Sequence, residues 1–75
     1  MVELTNITFD NEWIYADAYD CDYNVRGKIK VHRTKEIFET DCKSRNWFRW
    51  ASSILVNEVN EGKISQNGKR TMVWG

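Results

Sequence analysis

Proline is missing from the chain altogether, glycine occurs four times, and cysteine and histidine supply only three side chains between them. With no proline, few glycines and no low-complexity tract, neither a linker nor a second domain is expected. Four scattered glycines leave no glycine-rich loop to cradle a phosphate. Cys21 and Cys42 allow at most one disulfide, and with His32 as the lone histidine they cannot close a four-ligand zinc site unaided. No secretory signal precedes them, so free thiols are expected. No apolar run approaches the ~18 residues of a membrane span, and no basic segment followed by an apolar one opens the chain. A cytoplasmic protein without membrane contact is the expectation. Net charge is lacking too, with 11 basic and 11 acidic side chains, which removes the strongly basic signature of a general polyanion binder.

What is present is aromatic. Ten of the 75 residues are Trp, Tyr or Phe. A domain of this size buries only about 60% of the surface its unfolded chain exposes, and large rings partly offset that by raising the area hidden per ordered residue. The charges are separated along the chain. Residues 1–24 hold six acids and no base, whereas residues 25–50 hold eight bases and three acids. Such a dipolar arrangement favours an oriented contact over general polyanion affinity.

Trp47, Trp50, Ala51, Ile54, Leu55 and Val59 recur at three- and four-residue steps, which predicts an amphipathic helix over 41–60. Asp41 or Ser44 is its candidate N-cap and Gly62 its stop. Residues 4–9, 13–19 and 25–33 read as strands, and Val25, Gly27, Ile29 and Val31 alternate with Arg26, Lys28, Lys30 and His32. A three-residue connection at 10–12 and a five-residue turn at 20–24 put Ile7, Phe9, Trp13, Tyr15, Ile29 and Val31 on one covered face. Thr8, Ile14, Ala16, Ala18, Arg26, Lys28, Lys30 and His32 then face water, and one residue of slippage would exchange the faces. Residues 36–40 pair briefly with the third strand. Asn67-Gly68 predicts a hairpin joining 63–66 to 69–74. The expected architecture is α+β in a single domain, residues 1–75: a three-stranded antiparallel meander packed on one amphipathic helix, followed by a C-terminal β-hairpin.

Few constellations carry chemistry. Asp20, Asp22, Asn24 and Gly27 resemble a calcium loop, but the glycine comes two residues late and Val31 occupies the position of the bidentate glutamate, so a polar turn is expected. His32 has lysines and arginine as face-mates and reads as a surface side chain. Asp17 falls among Tyr15, Tyr19 and Val25 on the covered face, where a carboxylate needs a donor, unless the register is displaced. Lys43, Arg45 and Arg49 near the helix start, with Glu58 and Glu61 at its end, oppose the macrodipole, which marks a candidate anion site. The plain alternative is that these charges only solvate the helix or pair with the acidic hairpin.

No acid/base pair, activated nucleophile or metal cluster emerges, so a non-catalytic protein with no cofactor and no metal is expected. The leading expectation is a small binding protein, of the regulator or inhibitor type, that contacts a protein partner through Arg26, Lys28, Lys30, Arg45 and Arg49. The alternative is a nucleic-acid-binding module using the same basic sheet face and helix N-terminus. A weaker third is that Asp17, Asp20 and Asp22 mimic DNA toward a basic partner.

Overall fold

The alternating segments form β2 (Trp13–Asp20) and β3 (Val25–His32), preceded by β1 (Val2–Phe9). A short β4 (Phe38–Thr40), the helix α1 (Arg45–Asn60) and β5 (Gly68–Met72) follow. The computed structural model describes residues 1–42 and 45–73, with backbone alone at 45–47. All strands join one antiparallel sheet in the order β4-β3-β2-β1-β5, and α1 packs across one of its faces. The class is α+β, with one helix on one sheet.

Turn chemistry sets the register. The β2–β3 ladder runs from Trp13↔His32 to Asp20↔Val25, so four residues turn the chain rather than five. Asp20 closes that turn: its Oδ1 accepts the amides of Asp22 at 3.0 Å and Tyr23 at 3.3 Å, and Asn24 takes the left-handed conformation at φ 53°. The single-residue difference reverses β2. Ile14, Ala16 and Ala18 lie beneath the helix, and Trp13, Tyr15, Asp17 and Tyr19 face outward. Ile29 and Val31 are covered and Lys28 and Lys30 face outward, so β3 has the expected orientation. The β1–β2 ladder departs in the same sense, with Phe9 opposite Ile14 rather than Trp13.

A bulge does the corresponding work in β1. Asn6, at φ 51°, is inserted between Thr5 and Thr8, where the ladders to both neighbours shift. Val2 and Leu4 before it and Ile7 after it therefore all point into the core.

On the helix, Phe48, Ala51, Ser52, Leu55 and Val59 are the buried stripe, rotated by most of a quarter turn from the tryptophan-rich one. Trp50 is 37% exposed; the side chain of Trp47 lies outside the described residues. Phe48 is fully buried and packs where β3 carries Gly27, since a Cβ at that position would stand 3.3 Å from its Cε2. Each large side chain so buried contributes ~1.5–3 kcal/mol before entropy is counted.

Gly62, at φ 75°, ends the helix in a Schellman motif, with Gly62 N–H on Val59 O at 3.0 Å and Lys63 N–H on Glu58 O at 2.9 Å. The helix begins four residues after Asp41, whose Oδ1 accepts the Lys28 amide at 2.7 Å; Ser44 lies outside the described residues. Residues 63–66 are not a strand, a turn closed by Gly68 N–H on Ser65 O at 3.0 Å leads into β5, and β5 pairs with β1. The Gln66 side-chain amide completes that edge by exchanging two hydrogen bonds with the backbone of Phe9. Trp74 lies outside the described residues. Among the described residues no helix is long and apolar enough to cross a membrane.

Candidate contact face of the sheet

Because α1 covers one face only, the other is open, and it carries a ladder of unlike side chains. Across β2 and β3 stand Trp13 opposite His32, Tyr15 opposite Lys30, Asp17 opposite Lys28 and Tyr19 opposite Arg26. The Lys30 ammonium sits 4.1 Å from the Trp13 ring centroid and 5.9 Å from that of Tyr15. The Arg26 guanidinium lies 4.0 Å over Tyr19, whose hydroxyl donates to Asn24 at 3.1 Å. Lys28 reaches Asp17 at 3.2 Å, and the Asn6 amide donates to the other Asp17 oxygen at 2.8 Å. Those hydrogen bonds, Asn6 first and Lys28 second, hold the Asp17 carboxyl below its ordinary range. Asp17 therefore needs no buried donor, since it is on the open face.

A shallow groove of about 580 Å³ runs across this face between Tyr15, Asp17, Lys28, Lys30 and Glu39. Its charges are of both signs, and Glu39 stands opposite Lys30 across β3–β4.

The expected site residues divide between two layers. Arg26, Lys28 and Lys30 share the open face. Arg49 is exposed on α1, behind the sheet, and lines a different groove. Lys43 and the side chain of Arg45 lie outside the described residues. The covered-face assignment of Trp13 and Tyr15 is corrected by the four-residue turn. That turn brings an aromatic to the basic row, since Tyr15 is 39% exposed there. A sequence signal was available: Asp17 in a covered row is costly, while Ile14, Ala16 and Ala18 make an apolar row one residue out of step.

His32 is 6% exposed rather than a surface side chain. Its Nδ1 accepts the amides of Thr34 at 3.1 Å and Lys35 at 3.0 Å, which leaves the proton of the neutral ring on Nε2. The Trp13 indole meets it edge-on at 4.7 Å between centroids. Its role is to cap the turn that follows β3. The acidic residues do not form a row: Asp17 pairs with Lys28, Asp22 pairs with the N-terminal ammonium at 2.6 Å, and Asp20 is fully buried. Asp20 Oδ2 has no partner among the described residues. No group of three or more His, Cys, Asp or Glu among those residues could hold a metal, and no disulfide joins Cys21 to Cys42.

No protein-family model, curated protein or solved structure matches the chain. Fold and face together define a small α+β domain whose sheet is covered on one side and bears an aromatic and charged ladder on the other.

Proposed function

We propose that the protein is a non-catalytic binding module that engages a protein partner through the open face of its sheet, acting in the cytoplasm as a regulator or inhibitor by occupying that partner's surface. One observation carries this reading: a row of rings on β2, Trp13, Tyr15 and Tyr19, stands there beside a row of cations on β3, Arg26, Lys28 and Lys30. Tyrosine, tryptophan and arginine are the side chains that dominate binding energy at protein interfaces, the two aromatics because they bury large areas with few rotors to freeze and arginine because its planar fork makes several directed hydrogen bonds. Asp17 and Glu39 keep the face close to charge balance, which orients a partner of mixed charge and gives little to a uniform polyanion. Arg49 belongs to α1 behind the sheet and is left out of this contact.

The test is a triple variant, Tyr15→Ala, Lys28→Glu and Lys30→Glu, used as bait in the source cell beside wild type and a Lys63→Glu control. The variant should melt within a few degrees of wild type and lose the partners that wild type and control both retain. If the same partners still come down with the triple variant, the open face is not the contact.

The adjacent rows of rings and cations also favour single-stranded nucleic acid, with bases stacked on Tyr15 and phosphates on Lys28 and Lys30. Fluorescence anisotropy of labelled single strands separates the two. Nucleic-acid binding would be tightest at ~50 mM salt and collapse as salt rises. A flat signal at low salt removes that reading.

A further inference from the structure

A second groove lies on the covered side of the molecule, between the middle of α1 and the turn that joins β3 to β4. Its volume is about 370 Å³, within the ~300–1,000 Å³ of small-ligand clefts. Val31, Phe38 and Val56 provide an apolar floor, and Ile37 beside them is 40% exposed. Space remains above that floor because the helix presents two consecutive serines there. The hydroxyls of Ser52 and Ser53 both turn back to donate to the Arg49 carbonyl, at 2.8 and 3.2 Å, so neither offers its proton to the groove.

The rim is cationic. Arg33, Lys35 and Arg49 line it against a single acid, Glu36. Arg33 is fixed as part of the wall, donating to the Asn60 side chain at 2.9 Å and to the Asp10 carbonyl at 2.8 Å. Lys35 and Arg49 make no ion pair with any described residue. An apolar floor beneath a one-signed rim selects a molecule with an apolar tail and an anionic head. We propose that this groove binds a small amphipathic carboxylate, of the medium-chain fatty acid or aryl-carboxylate class, with its tail on Phe38 and Val56 and its head held by Arg49 and Lys35. The planar guanidinium of Arg49 matches a carboxylate by two parallel hydrogen bonds, and Lys35 adds a point charge.

Octanoate is the probe, with acetate and octylammonium as partners that each lack half of the recognition. In ¹⁵N–¹H correlation spectra of the full chain, octanoate should shift the amides of Val31, Phe38, Ser53 and Val56 saturably, while acetate and octylammonium leave them in place. Arg49→Glu, at an exposed position, should keep the folded spectrum and weaken octanoate at least tenfold, and Lys35→Glu should act in the same direction. Equal shifts from octylammonium, shifts spread over the open sheet face, or undiminished binding by Arg49→Glu would each overturn the assignment. The sheet-face proposal is untouched by any of these results.

Discussion

A Cβ added to Gly27 would stand 2.6 Å from the Cβ of Cys42, 2.9 Å from Asp41 Oδ1 and 3.3 Å from Phe48 Cε2. Three elements meet at that point, since β3 carries the glycine, the residues after β4 carry Asp41 and Cys42, and α1 carries Phe48. Gly27→Ala should therefore destabilise by about 1–3 kcal/mol through overpacking, seen as a melting temperature lower by about 5–20 °C in a domain this small. An unchanged melt would mean that the segment before the helix gives way freely. At this scale the sequence was only partly readable. The alternation of Gly27 with Ile29 and Val31 showed which side of β3 is covered, but nothing local announced that Cys42 would press on the glycine. Asp17 and Asp20 are the instructive pair. Each is an aspartate on β2, and the choice of which one is buried rests on the side-chain capping of a turn, which two-residue periodicity does not record.

Among the elements, β1 depends on a residue that no alternation pattern would place in a strand. Asn6 tolerates the left-handed backbone of the bulge and ties it to Asp17. Asn6→Gly retains the backbone and loses only an exposed hydrogen bond. Asn6→Val adds to that loss a strain of about 1–2 kcal/mol. Urea denaturation should accordingly rank stability as wild type, then glycine, then valine; valine equal to glycine would show that the bulge is not strained. The helix was readable as an element and misread as a surface, because tryptophans at helical spacing outweighed Phe48 in the pattern, whereas Phe48 is the fully buried ring and Trp50 is 37% exposed. Its reversed charge order also has an answer at one end. Glu58 receives two hydrogen bonds from Arg70 of β5, at 2.8 and 3.1 Å, and Glu61 pairs with Lys63 at 3.1 Å, so the acids at the C-terminus are balanced from outside the helix.

For the molecule as a whole, the acid limb of stability follows from three carboxyls held below their ordinary range. Hydrogen bonds from Arg70 lower Glu58, the Asn6 amide lowers Asp17, and the backbone amides of Trp13 and Glu12 lower Asp10. Each takes up a proton less readily in the folded chain than in the unfolded one. Their stabilisation is thus complete above the ordinary carboxylate values of 4.5 for Glu and 3.8 for Asp, and is lost as pH falls through the depressed folded values. Stability measured by urea titration should be flat from about pH 7 to pH 5 and decline below about pH 4. Glu58→Gln should lower the plateau and shallow the decline, so that its curve approaches wild type in acid. Parallel curves at every pH would show that the Arg70 pair does not couple to folding. The α+β class was legible from periods of two and 3.6; the five-strand order was not, because pairing between chain-distant segments leaves no local mark.

That pairing has a consequence for how the fold is reached. Val2 meets Met72, so β1 lies between its immediate neighbour and a strand from the far side of the helix. The β1–β2 and β2–β3 turns close quickly, on the order of microseconds, whereas β5 docks only once the helix has doubled back. Until it does, the backbone of residues 2–7 is an open template on one side, and the β5 of a second molecule fits it as well as the chain's own. Refolding at high protein concentration therefore gives the β5 of a second chain the chance to take that place and reproduce the β1–β5 ladder.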